Sequence, residues 1–316
     1  MSFVNLVSRM PAAVAQGIIW GIMALGVYIT FRVLGVSDLS VDGTFATGGA
    51  VSVMLLLAGC PAWLAVIAAI AAGIAAGFVT GMLHTKLGIP AILSGILTQF
   101  ALYSINLRIM GMRSNQTASL KNFGMFYENG TGFLISSRYV PLAILVGGIL
   151  ALIIIFVLYW YFGTEQGSAI RATGSNPNMA SAQGISINNM KVLGLAISNG
   201  IIALAGALMT QFQGTADVNM GRGAIVIGLA AIVIGEVICD ALFSKGCNFA
   251  IRLGFVVVGG ILYYIVMTVI LWLKLDPNDL KLFTAIIVAV FLAVPYLQQQ
   301  SKSSFSHAAK QAKKEG

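Results

Sequence analysis

Acidic and hydroxyl side chains gather in the segment SDLSVDGTF, within a chain of 316 residues that has only ten Asp and Glu residues. Asp38 and Asp42 stand four residues apart, and Ser40 and Thr44 alternate with them. Oxygen atoms at this spacing can cap the start of a helix, or they can line a path for a polar solute. The sequence leaves both roles open.

Two further polar groups interrupt apolar runs. The segment QGTADVNMGRGA contains Asp217, Asn219 and Arg222, which offer the same choice between capping and a solute path, and it follows a long apolar stretch. Gln99, Tyr103 and Asn106 fall at helical spacing and share one face, and a polar face on an otherwise apolar helix normally points into a bundle. The residues predicted to line a solute path are Asp38, Ser40, Asp42, Thr44, Thr98, Gln99, Asn106, Asp217 and Asn219.

Signatures of bond chemistry are missing from the sequence. There is no Gly-Lys dipeptide, which excludes a P-loop, and no serine stands in a nucleophile elbow. His84 and His307 cannot build a metal site with three scattered cysteines. Glu236 and Asp240 could act as paired carboxylates, but the end of a helix explains them more simply. We expect no catalytic residue, metal or cofactor, and scattered basic residues argue against nucleic acid.

The composition requires lipid as the main solvent. Hydrophobic residues make up 58% of the chain and charged residues 9%, and the mean hydropathy is +0.92. Soluble domains have about 25% charged residues, so this chain could not cover itself in water. The net charge of +8 suits contact with anionic lipid.

The apolar runs predict an all-α polytopic membrane protein with about nine transmembrane helices, because crossing a bilayer takes about 20 residues. The predicted spans are 13–32, 42–58, 62–83, 89–110, 139–162, 188–212, 220–238, 250–273 and 280–297. They form one transmembrane domain, 1–298, followed by a basic cytoplasmic tail, 299–316. Two connections are long: 111–138, which we expect outside the cell, and 163–187, which we expect in the cytoplasm.

The spans suggest two inverted repeats. The segments VLGVSDLSVDGTFATGGAVS and FQGTADVNMGRGAIVIGLAA both break a long helix and resume as a Gly/Ala-rich helix. Spans 1–4 and 6–9 would then be two four-helix units of opposite orientation, separated by span 5. Broken backbone at membrane depth must be buried in protein or line water. Glycines four apart, such as Gly17 and Gly21, predict close helix contacts within or between subunits.

The connection 163–187 contains a predicted surface helix. In SNPNMASAQG, Ser175 or Asn176 can cap the helix, Pro177 suits its first turn and Gly184 can end it. A helix of about two turns between glycines is a compact projection, and such a shape suits a groove on a soluble partner.

The sequence of this projection also resembles that of a known protein family. GSAIRATGSNPNMASAQGIS resembles the cytoplasmic coupling segment of ATP-binding-cassette (ABC) importer permeases of the branched-chain amino acid and ribose permease superfamily. SDLSVDGTFATGGAV is similar to that family's first broken helix, with Asp42 where ribose-type members have glycine, and GIPAILSGILTQFALYSINLRIMG looks like the tryptophan/tyrosine-type subgroup. The resemblance implies that these residues couple to an ATPase: Glu165, Gly167, Arg171, Ala172, Gly174, Asn176, Pro177, Ala180 and Gly184.

The resemblance implies a type II importer. Two permease copies would enclose one pathway, two ABC ATPase subunits would hold ATP and Mg²⁺, and an external solute-binding protein would deliver substrate. The location would be the bacterial cytoplasmic membrane, with the N-terminus outside and the C-terminus in the cytoplasm. The implied substrate is a small solute: an amino acid, and by subgroup an aromatic one, with a nucleoside or a sugar as the alternatives. An ion-coupled secondary transporter is the alternative, since an inverted repeat would serve it equally well.

Overall fold

The computed structural model describes residues 3–118, 134–243 and 248–272, together with five isolated helical positions between 282 and 293. Within these residues the fold is almost entirely helical. The helices are α1 (Phe3–Tyr28, continued by a π-helical turn, Ile29–Val33), α2 (Val41–Leu57), α3 (Ala62–Thr85), α4 (Ala91–Ile109), α5 (Val140–Gly163), α6 (Glu165–Ser175), α7 (Pro177–Ala182), α8 (Ile187–Gln213), α9 (Ala224–Leu242) and α10 (Phe249–Trp272). Two short strands are β1 (Asn115–Thr117) and β2 (Thr215–Asp217).

Seven of the described helices are long and apolar enough to cross a membrane, and α2 is a shorter apolar helix of 17 residues. These eight helices match the first eight predicted spans in order, which confirms an all-helical, multi-pass protein. The ninth predicted span, 280–297, and the tail, 299–316, lie outside the described residues except at the five isolated positions.

Helices α1 and α8 pack against each other at the centre of the bundle. Helix α8 also contacts α2 and α3, whereas α1 contacts α9 and α10. Glycines allow these contacts: a Cβ atom on Gly17 would lie 2.6 Å from the Cα of Ile261 in α10. Gly73 and Gly77 meet the α8 backbone in the same way. These glycine pairs therefore serve packing within one chain.

Both predicted helix breaks are present. After the π-helical turn of α1 the chain reverses at Gly35, whose φ of +64° is a left-handed value that favours glycine, and α2 begins at Val41. Helix α8 ends at Gly214, also with positive φ, and α9 starts after Gly223. The two breaks place the first turns of α2 and α9 close together.

A two-stranded antiparallel sheet joins the segment after α4 to the segment after α8. Asn115 pairs with Asp217, and Thr117 pairs with Thr215. Ala216 and Val218 pack into a small apolar cluster with residues of α2 and α3. The sheet therefore fixes the start of the connection 111–138 against the second helix break.

Candidate functional site

Asp42 joins the two broken helices. It lies in the first turn of α2, and its Oδ2 accepts a hydrogen bond from the Gly223 N–H at 2.9 Å while its Oδ1 accepts one from the Ile225 N–H at 3.1 Å. These donors belong to the first turn of α9, where the helix dipole favours a negative charge. Gly221 is required nearby, because a Cβ atom there would collide with the carbonyl group of Asp42.

Asp38 holds the start of α2 against the middle of α8. Its Oδ1 accepts from the Ser40 N–H at 2.8 Å, and its Oδ2 accepts from Asn199 Nδ2 at 2.8 Å. The Ser40 hydroxyl donates to Asn199 Oδ1 at 3.2 Å, and the Thr44 hydroxyl donates to the Ser40 carbonyl at 3.0 Å. All four side chains are buried, so Asp38, Ser40 and Thr44 make structural contacts that hold the start of α2 in place, although none of them caps α2 through its side chain.

A cavity of about 370 Å³ opens beside Asp42. Four of the nine predicted path residues line it, and Tyr103 lies on the same α4 face as two of them. The lining residues are Asp42, Gly43, Gln99, Phe100, Tyr103, Asn106, Val218, Asn219 and Arg222. Among the described residues, the lining therefore combines one carboxylate, one guanidinium group, three amides and two aromatic rings.

Two other predicted path residues lie outside this cavity lining. Thr98 is buried and its hydroxyl is 2.9 Å from that of Thr80, which joins α4 to α3. Asp217 ends β2, and its Oδ1 accepts from the Asn219 N–H at 2.6 Å, which shapes the loop before α9.

Sequence reasoning did not select Phe100, Gly43 or Val218 as path residues. Apolar residues occur on every face of a membrane helix, so Phe100 gave no signal of its own. Gly43 lines the cavity because α2 and α4 approach closely there, and a Cβ atom would lie 3.1 Å from the Cα of Gln99.

The coupling segment consists of two helices rather than the single short helix that the sequence predicts. Helix α6 starts at Glu165, and the Thr164 hydroxyl caps it by accepting from the Gly167 N–H at 3.3 Å. Gly167 packs against the backbone of Tyr161, where a Cβ atom would not fit. The predicted helix is present as α7.

Helix α7 is an exposed projection. Asn176 caps it by accepting from the Met179 N–H at 3.1 Å, Pro177 occupies its first turn, and Gly184 follows its end with φ of +79°. Met179 is 57% exposed, whereas Ala180 is buried against the protein.

The other end of the coupling segment meets helix α1. A Cβ atom on Gly174 would lie 2.9 Å from the Cα of Leu34 and closer still to the carbonyl group of Val33. Ala172 is half-buried, while Glu165 is exposed. Arg171, also exposed, lines a second cavity of about 450 Å³ at the end of α5.

Ion pairs tie the helices together near this end of the bundle. Arg32 of the π-helical turn pairs with Glu236 of α9, and Arg252 of α10 lies 3.7 Å from Asp240. Each carboxylate thus has its own basic partner. In the described part of the chain, no three His, Cys, Asp or Glu side chains form a group that could hold a metal ion.

The broken helices, the polar cavity between them and the apolar exterior define a multi-pass transport protein. The family model described as "Branched-chain amino acid transport system / permease component" matches residues 10–295. The chain therefore belongs to this permease family. It is the membrane-spanning permease subunit of an ABC import system and is not itself an enzyme.

Individual relatives agree with this assignment. The chain is 38% identical to a tyrosine transport system permease protein of Clostridioides difficile, over 94% of this chain and 95% of the relative. It is 26% identical to a ribose import permease protein of Haemophilus influenzae, over 75% of this chain and 71% of that protein. The fold is similar to a chain in the structure "PsaBC from Streptococcus pneumoniae in complex with Fab", with a TM-score of 0.50, 14% identity, and coverage of 93% and 95%.

Proposed function

We propose that this permease conducts an amino acid, and more specifically an aromatic one, through a path that includes the cavity at Asp42. The observation that carries the proposal is the cavity itself, because polar side chains and broken backbone at membrane depth need either protein or water around them. The tyrosine permease of Clostridioides difficile, at 38% identity, supports the aromatic class.

The proposed topology has nine spans in two inverted repeats, with the N-terminus outside and the C-terminus in the cytoplasm. The packing supports this: α8 with its neighbours α2 and α3 corresponds to α1 with its neighbours α9 and α10. Helices α2 and α9 both restart after a break. The ninth span, 280–297, would then be the counterpart of α4.

A second copy of the chain would complete the path. Helix α4 has the lowest mean hydropathy of the seven described span candidates, 1.2, yet only 28% of its most apolar stretch is buried. Helix α5 is somewhat more exposed, at 22% buried, but its mean hydropathy is 3.0, as lipid contact requires. A helix as polar as α4 needs a protein neighbour, and its exposed face adjoins the cavity.

Two ATPase subunits would each bind one coupling segment, 163–187, from the cytoplasm, and an external solute-binding protein would deliver the substrate. ATP and Mg²⁺ would stay on the ATPase. Helix α7 is exposed, so a groove on the ATPase could hold it. Helix α6 connects α7 to the helix break that follows α1. Movement of the ATPase pair would therefore reach the broken helix through packed backbone rather than through a flexible loop.

Reconstituted vesicles test this proposal. The permease, its cognate ATPase and its binding protein should accumulate L-tyrosine only when ATP is supplied. Met179→Asp should reduce ATPase binding and uptake at least about tenfold, because a charge replaces an apolar contact at the tip of α7. Met112→Asp is the matched control, since Met112 is 74% exposed and lies at the predicted external end of α4.

An ion-coupled carrier would give the opposite result. Uptake by the permease alone, driven by an ion gradient without nucleotide, would contradict the proposal. Normal uptake by the Met179→Asp variant would contradict the proposal that α7 binds the ATPase.

A further inference from the structure

The charges around the cavity at Asp42 restrict what it can hold. We propose that it binds a zwitterion: the substrate carboxylate lies at Arg222, and the substrate ammonium group lies at the carbonyl oxygens of Asn219 and Asn106. This inference rests on the proposed function, because it takes the cavity as part of the solute path.

The start of helix α9, an anion site beside the cavity, is already occupied. The N-terminus of a helix attracts a carboxylate, but at α9 both hydrogen bonds come to the carboxylate of Asp42, from Gly223 and Ile225. A substrate carboxylate would have to displace Asp42 to bind there. The substrate's negative group therefore needs another partner.

Arg222 is the cationic residue among the described lining residues. Its side chain is exposed to the cavity and has no hydrogen bond or ion pair within the described parts of the chain. A guanidinium group offers a planar set of N–H donors that fits a carboxylate, and such charge-assisted bonds are stronger than neutral ones. Arg222 is thus the group that a substrate carboxylate would meet.

Two buried amide oxygens need hydrogen-bond donors, and the substrate could supply them. The Oδ1 atoms of Asn106 and Asn219 are buried and have no hydrogen-bond partner in the described part of the chain. The Asn106 side chain donates through Nδ2 to the Gly43 carbonyl at 3.4 Å, which leaves its Oδ1 as an acceptor. Unpaired buried acceptors are costly, and an ammonium group brings three donors. The nearby charge of Asp42 favours a cation in the same region.

Two aromatic side chains complete the site. Phe100 and Tyr103 are both partly exposed on the α4 wall of the cavity. The volume of about 370 Å³ lies within the usual range for small ligands, about 300–1,000 Å³. An aromatic amino acid would use the rings and both charges, whereas a sugar would leave Arg222 without an anionic partner.

Saturation-transfer NMR on the detergent-solubilised permease–ATPase complex, without the binding protein, tests the site directly. The probes are L-tyrosine, tyramine, which lacks the carboxylate, 3-(4-hydroxyphenyl)propionate, which lacks the ammonium group, and D-ribose. L-Tyrosine should bind at least about fivefold more strongly than either analogue. Arg222→Gln should weaken L-tyrosine binding about tenfold without changing tyramine binding, and Arg222→Lys should retain the preference for tyrosine.

Arg113→Gln is the matched control, because Arg113 is an exposed arginine outside the cavity lining, and it should bind like the unmodified chain. Equal binding of tyrosine and tyramine, or unweakened tyrosine binding by Arg222→Gln, would overturn the zwitterion site. Binding of D-ribose without binding of an amino acid would do the same. If the proposed function is wrong, vesicles that contain the unsubstituted permease, its ATPase and its binding protein will show no ATP-driven uptake. That result is separate from the binding measurements.

Discussion

Asp38 is held between two donors, the Ser40 N–H and Asn199 Nδ2, both at 2.8 Å. Asp38→Asn keeps the size of the side chain but turns one acceptor into a donor, so two donors would face each other in a buried place. We expect this change to lower the free energy of unfolding by about 1–3 kcal/mol. Unfolding in a mixed-micelle SDS titration would measure it.

Asp240→Asn is the control for this prediction. Asp240 is 66% exposed and its oxygen lies 3.7 Å from Arg252, so its removal should change the free energy of unfolding by less than about 1 kcal/mol. Equal effects of the two substitutions would mean that the buried contact to Asn199 does not hold α2 in place.

Asp38 and Asp42 show what sequence can and cannot tell about single residues. They are four positions apart in similar surroundings, and the sequence allowed capping or a solute path for both. Asp38 holds the turn before its own helix against α8, whereas Asp42 caps α9, which is far away in the chain, and also lines the cavity. A contact between such distant segments leaves no local pattern. The stripe of Gln99 and Asn106 was predictable, because helical periodicity alone puts them on one face.

Among the elements, α7 was predictable and α6 was not. Asn176, Pro177 and Gly184 are ordinary start and stop signals of a helix. Helix α6 contains Gly167 and Gly174, which lower helix propensity, so its sequence looks like a loop. Both glycines serve close backbone contacts to Tyr161 and Val33, which only the folded chain reveals. The strands β1 and β2 are three residues each, too short for alternation to appear.

The contact between α6 and α1 should be essential for coupling. Gly174→Ala would push the end of α6 away from the backbone of Val33 and Leu34. We expect ATP-driven uptake to fall several-fold, with an overpacking cost of about 1–3 kcal/mol in stability. ATP hydrolysis should continue, since α7, the helix proposed to bind the ATPase, is unchanged. Uptake and hydrolysis measured on the same vesicles give the ratio of solute moved per ATP.

Gly163→Ala provides the comparison, because a Cβ atom on Gly163 would meet no described residue within 4 Å. It should leave both uptake and hydrolysis unchanged. An unchanged ratio in Gly174→Ala would show that force does not pass through this contact.

At the scale of the whole molecule, two of the exposed faces in the described part of the bundle, those of α5 and α4, differ in character. Helix α5 presents an unbroken apolar face, with Leu152 and Phe156 at least 67% exposed. The exposed face of α4 contains Leu93, Leu97 and Phe100 beside polar residues that line the cavity. Lipid suits the first side, and a second copy of the chain, related by a twofold axis, suits the second.

Cysteine cross-linking distinguishes these sides. In a Cys60→Ser background, which removes a free thiol, at least one of Leu93→Cys, Leu97→Cys and Phe100→Cys should form a covalent dimer on mild oxidation in native membranes. The reason is that residues near a twofold axis meet their own copies, so one cysteine per chain is enough to bridge the pair. Leu152→Cys and Phe156→Cys should remain monomeric, because lipid separates them from other chains. If only the α5 cysteines formed dimers, the dimer interface would lie at α5. The shared path would then not be at α4 or at the cavity beside Asp42.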